Sequence, residues 1–186
     1  MGSTRAGRDV GLISGTDATV PVFVQTRARV TPREAFDAIV PIDLSLIFSG
    51  WGPFPAVRGV KNQSGAWDHV GASRNPDLSD GSTATETLTE YAPGHSFAYE
   101  LTDFTNALGR LILGVRGEWT FTPDREGTVI RWTYEFKPRP LRRSLIRLAL
   151  APLWRRYMRA ALEAAARVAE QGASAGQQPP AAPSRG

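Results

Sequence analysis

Three kinds of side chain in this 186-residue sequence could do chemistry: one carboxylate set among apolar neighbours, two histidines, and a large set of aromatic residues. Glu86 shares a strand face with Ala84 and Leu88, so alternation points it inward. Burial disfavours the charged form of a carboxyl, which suits acid/base work. The competing reading is a local twist or bulge that leaves Glu86 in water. His69 shares a face with Trp67 and Gly71 and is the second catalytic candidate, as a general base in an apolar site. Its alternative is a hydrogen-bonded structural or exposed histidine. His95 follows Pro93-Gly94 in an expected turn and belongs to the surface.

Several chemistries are excluded. There is no cysteine, which removes disulfides, cysteine-bound zinc and a thiol nucleophile. Two distant histidines give no first shell, so no metal is expected. The glycines at 50–52 and 114–117 are too sparse for a phosphate loop and lack its Lys-Ser/Thr ending. No Gly-x-Ser-x-Gly marks a nucleophile elbow. No cofactor is expected.

The elements that position these residues follow from periodicity. Strand alternation runs over 22–30, with Val22, Val24, Ala28 and Val30 inward. Thr31, Pro32 and Glu34 form an N-cap, an N1 proline and a capping box for a short helix ended by Pro41. Asp43 can cap a second short helix over 44–48. Trp51-Gly-Pro-Phe-Pro55 is a rigid aromatic turn. Strands are expected over 57–63 and 67–73, a turn over 75–81, and four more strands over 82–91, 96–104, 113–122 and 128–137. On the last two, Leu113, Val115, Gly117, Trp119 and Phe121, then Ile130, Trp132, Tyr134 and Phe136, form apolar faces. Phe97, Tyr99 and Leu101 join them. Strands clustered without interleaved helices imply an antiparallel sheet, hence an α+β fold.

The chain then turns helical. From 153 to 168, Leu153, Trp154, Tyr157, Met158, Ala161 and Val168 share one face. Before Pro152 the register differs: Leu141, Leu145 and Leu148 lie roughly opposite, which implies a kink or two helices. Residues 137–159 hold eight basic residues and no acid, within a net charge of +4, so the rest of the chain is net acidic. The plain reading is a solvated helix face. The alternative is a peripheral contact with an anionic membrane through Arg142, Arg143 and Arg147, with Ile146 and Leu150 as apolar partners. Nucleic acid is disfavoured because the stretch offers no free aromatics for stacking.

Composition places one domain over 20–171 between disordered ends at 1–19 and 172–186. With no signal-peptide pattern and no membrane-length apolar run, a cytoplasmic protein is expected. Oligomeric state is not legible.

The order of elements, together with Val30-Thr-Pro-Arg-Glu-Ala-Phe36, Glu86-Thr-Leu-Thr-Glu-Tyr-Ala-Pro93, Ser96-Phe-Ala-Tyr-Glu100 and Gly117-Glu-Trp-Thr-Phe-Thr-Pro123, resembles the START-like (SRPBCC) superfamily, and within it the polyketide cyclase/dehydrase-type family. The resemblance covers about residues 20–170. It implies a helix-grip fold: a seven-stranded curved antiparallel sheet wrapped around a long C-terminal helix, with two short helices after the first strand. It also implies an apolar cavity between sheet and helix. Trp51, Trp67, Tyr99, Trp119, Trp132, Tyr134, Tyr157 and Met158 are the expected ligand-binding residues, with the 51–55 loop at the mouth. The first functional expectation is binding or transport of a lipid-, polycyclic- or polyketide-like molecule. A cyclase or dehydratase using Glu86 or His69 is the alternative, since the fold does not settle activity. A non-ligand interaction module with a filled core is the third.

Overall fold

The computed structural model describes residues 11–13 and 17–176. Seven strands form one antiparallel sheet: β1 (Val20–Ala28), β2 (Val57–Lys61), β3 (Ser73–Leu78), β4 (Thr85–Ala92), β5 (Ser96–Thr102), β6 (Ile112–Asp124) and β7 (Gly127–Pro138). Their spatial order is β1-β7-β6-β5-β4-β3-β2. Between β1 and β2 lie α1 (Pro32–Ile39) and a 3-10 turn, Leu44–Leu46. After β7 the chain stays helical through α2 (Arg143–Leu145), a π-helical stretch (Ile146–Leu150) and α3 (Ala151–Gly176). This is the helix-grip fold, with β1 and α1 packed on α3. No described helix is long and apolar enough to cross a membrane.

Local chemistry explains the entry to α1. The Thr31 hydroxyl accepts from the Glu34 N–H (3.3 Å), and Glu34 accepts from the Thr31 N–H (2.8 Å). Those hydrogen bonds hold the Glu34 carboxyl below its usual range. Asp43 caps the 3-10 turn by accepting from the Ser45 N–H, as its position predicts.

The core is the concave face of the sheet closed by α3. Val22, Val24, Ile130, Phe136 and Val115 are buried from the strands, and Met158, Ala161, Leu162 and Ala165 from the helix. The run of alanines lets α3 lie close to β1, because small side chains keep the backbones near.

Three expectations are corrected. The 67–73 segment is not a strand. It turns at Gly71 (φ 93°), where the Ala72 N–H donates to the His69 carbonyl. The next strand, β3, runs instead through residues read as a turn. Asn75 and Pro76 sit in it because β3 pairs with β4 only at Ser73 and Arg74, so the proline lies where that ladder has ended. The true turn follows, at Gly81 (φ 80°), whose N–H donates to the Leu78 carbonyl.

The second correction is on β6. A register shift between Ile112 and Gly114 puts Ile112 in the core and leaves Leu113 41% exposed, the reverse of simple alternation. The third concerns the C-terminal helix: of the two expectations, a division into two helices does not occur, and the chain stays helical through a π stretch ahead of Pro152. The Ala151 N–H donates to the Ile146 carbonyl, one residue further back than in an α-helix. A proline has no N–H for its own helical bond and its ring crowds the preceding turn. The wider π turn carries the helix through to Pro152. It also rotates the preceding register, so Ile146 is fully buried while Leu145 and Leu148 face outward.

Of the expected disordered ends, residues 1–10, 14–16 and 177–186 lie outside the described residues. Among the described residues before β1, the Leu12 N–H donates to Glu100 and its carbonyl accepts from Lys137. The helix continues through Gly176, beyond the Gly172 at which composition places the tail.

Candidate functional site

A cavity of about 380 Å³ lies between the sheet and the C-terminal helix. Its size falls in the usual range for small-molecule pockets. Tyr99 on β5, Trp119 on β6, and Trp132 and Tyr134 on β7 line its floor. Trp154 and Tyr157 close it from α3, and Phe54 from the 51–55 loop. Pro53, Asp80 and Ala107 are lining residues that are also exposed, so they mark the mouth.

The aromatic wall is built by strand register. Trp119 and Trp132 are cross-strand partners on β6 and β7, and their rings stack at 4.8 Å. Trp132 donates its indole N–H to the Tyr99 hydroxyl (3.0 Å). The Tyr99 ring lies over Gly117, its partner on β6, where any Cβ would collide with it. Glycine there is a packing requirement. The Tyr157 hydroxyl donates to the Pro55 carbonyl (3.0 Å), and the Phe54 ring stacks on Tyr157 at 5.4 Å. The loop is thereby fastened to α3.

Burial, and secondarily the Glu86 charge, push the Tyr99 hydroxyl well above its ordinary pKa. Burial does the same to Tyr134, and raises Tyr157 to about 12. All three are therefore neutral hydroxyls near neutral pH. The Tyr134 hydroxyl has no hydrogen-bond partner among the described residues. Neither does the buried Trp154 indole N–H.

Glu86 does point inward, and it is not alone. It is the cross-strand partner of Arg74, and the two form an ion pair at 2.5 Å with side chains 7% and 8% exposed respectively. Arg74 also lies over the Trp67 ring at 4.0 Å. Both Arg74 and Glu86 line the cavity. Sequence reasoning missed Arg74 because it read strand β3 one element too early. With the register of Arg74 opposite Glu86, the pair would have been visible.

The other candidates fall outside the cavity. His69 is a correction: its side chain is 61% exposed and its ring nitrogen contacts Asp68 at 2.9 Å. The cause is the turn at Gly71, which removes the strand that would have aimed it inward. Glu86 and His69 are not brought together. Trp67 is buried but stands behind Arg74, Met158 is in the core, and Trp51 is 38% exposed, with Phe54 taking the cavity position. Phe54 and Trp154 carried no distinguishing sequence signal beyond an aromatic turn and an apolar helix face.

A family model described as "Polyketide cyclase / dehydrase and lipid transport" matches residues 21–170. The chain belongs to this family. No curated protein matches by sequence. Among solved structures, Ara h 8.0201 is similar with a TM-score of 0.60 at 13% identity, covering 82% of this chain and 99% of that one. The di-domain ARO/CYC StfQ from the steffimycin biosynthetic pathway has a TM-score of 0.59 at 20% identity, covering 84% of this chain and 52% of that one. Protein MLL2253 from Mesorhizobium loti has a TM-score of 0.55 at 16% identity, covering 82% and 98%. These likenesses establish the helix-grip fold. The family, by its description, supports a ligand-binding or cyclase role.

Proposed function

We propose that this protein binds an apolar small molecule with a polycyclic or lipid-like body and one oxygen-bearing end, and that it acts as a binding protein or carrier. The observation that carries this reading is the open cavity of about 380 Å³ walled by Tyr99, Trp119, Trp132, Tyr134, Trp154 and Tyr157. A filled core would be expected of a pure interaction module. Flat aromatic walls favour a flat or chain-like apolar body. The polar end would meet Arg74, whose remaining guanidinium N–H groups have no partner among the described residues, and the Tyr134 hydroxyl.

Native mass spectrometry of the purified protein, with extraction of any co-purified molecule, tests the reading. A stoichiometric apolar ligand supports it. An empty protein that also fails to take up a neutral environment-sensitive dye refutes it.

A second reading, cyclase or dehydratase catalysis, is favoured by one feature: Glu86, Arg74 and Tyr99 lie together at the cavity wall. Glu86 would act there without His69. Turnover of a polyketide-like substrate that disappears in Glu86→Gln, with binding retained, would establish it. Binding without turnover in either protein leaves the carrier.

A further inference from the structure

We propose that residues 141–148 form a docking surface for an anionic lipid bilayer, seated beside the cavity mouth. The proposal rests on the ligand-binding reading for its purpose, though the docking itself can be measured separately. Three leucines project there: Leu141 is 100% exposed, Leu148 71% and Leu145 46%. Only Ile146 among residues 141–149 is buried, so this helical start is anchored by one side chain and leaves the others to solvent.

One of these leucines also sits in an unusual backbone conformation. Leu141 has φ 64°, the left-handed region that a bulky L-residue rarely adopts. Backbone strain of this kind clusters at functional segments. The π stretch adds to the effect by turning Leu145 and Leu148 outward and Ile146 inward.

Charge identifies the occupant. Arg142, Arg143 and Arg147 are exposed and flank the leucines, and none has an ion-pair partner among the described residues. No acidic residue occurs from 137 through 159. Apolar tips ringed by unpaired arginines fit the boundary of an anionic bilayer: the leucines enter the acyl region while the guanidiniums stay with the headgroups.

The surface joins the mouth directly. Arg139, just before the patch, donates its backbone N–H to the Leu111 carbonyl (2.9 Å) and its side chain to the Gly109 carbonyl (2.8 Å). Ala107, Leu108 and Leu111 of that loop line the cavity, as does Leu150 at the end of the π stretch. A bilayer seated on the patch would therefore face the opening through which an apolar ligand passes.

The test is co-sedimentation with vesicles of phosphatidylcholine alone or equimolar with phosphatidylglycerol. The full chain is expected to bind the mixed vesicles, to bind the neutral ones far less, and to weaken as salt rises. Arg143→Gln and Arg147→Gln should each weaken binding about fivefold. Leu148→Asp should abolish it while Nile red uptake by the cavity is unchanged. Equal binding to both vesicle types, or mixed-vesicle binding unaffected by Leu148→Asp, overturns the proposal. So does a self-associating protein that becomes monomeric in Leu148→Asp, which would assign the patch to a second copy. Vesicle binding with no Nile red uptake would leave the docking surface standing and remove the cavity reading instead.

Discussion

Breaking the Arg74–Glu86 pair from one side should cost far more than removing it whole. Both side chains are under a tenth exposed, and the contact is 2.5 Å. Taking away one partner leaves a buried charge uncompensated, which costs roughly 3–5 kcal/mol. Arg74→Met also gives up the stacking of the guanidinium on Trp67 at 4.0 Å, worth about 2 kcal/mol when desolvated. It should therefore lie at the upper end of that range, with Glu86→Leu lower. If the effects were independent, the double variant would lose roughly 6–10 kcal/mol, most of a domain's stability. Because two apolar side chains of similar volume replace a pair that had to be desolvated, the double variant should instead lose only about 1–2 kcal/mol. Urea unfolding followed by tryptophan fluorescence measures all four corners of the cycle. Additive single effects would refute the claim that the two charges depend on each other. Dye binding in the same double variant separates stability from ligand recognition: a polar-ended ligand should bind more weakly there, and a wholly apolar dye should not.

Gly117→Ala should lose about 2–4 kcal/mol, by overpacking against the Tyr99 ring and by parting Tyr99 from Trp132; thermal unfolding checks the loss, and an unchanged midpoint would mean the ring has free room. Thr31→Ala should cost about 1 kcal/mol through the capping box, read from the same unfolding curves. All four tyrosines, Tyr91, Tyr99, Tyr134 and Tyr157, have pKa values raised by burial. A raised folded pKa means the stabilisation is complete below the unfolded value near 10 and is lost as pH climbs through the folded values, about 12 for Tyr157. Stability should then fall by ~1.4 kcal/mol per pH unit above pH ~10 for each of the buried Tyr99 and Tyr134, and by less for the more accessible Tyr91. Tyrosinate absorbance should rise together with unfolding; ionisation of all four in a protein that stays folded near pH 10 would refute the burial of the aromatic wall.

The sequence by itself determined the elements whose signals are local. The Thr31–Glu34 capping box, the alternation of Val22, Val24 and Ala28, and that of Trp132, Tyr134 and Phe136 all depend on neighbours a few residues away, and the structure keeps each of them. The same alternation put Tyr99, Trp119, Trp132 and Tyr134 on one face, and Tyr157 on the facing side of the helix. Tertiary structure decided what depended on register between distant segments. A turn at Gly71 carried His69 to the surface, and a strand through Pro76 set Arg74 against Glu86. A bulge on β6 exchanged Ile112 for Leu113, and a π turn ahead of Pro152 buried Ile146, which periodicity sets beside Arg142, Arg143 and Arg147. In the last two cases a single residue of slippage changes which side chains are buried, and in the first two a whole strand is displaced along the chain. Periodicity fixes a spacing and leaves the phase open; only packing against the other strands and the helix sets that phase.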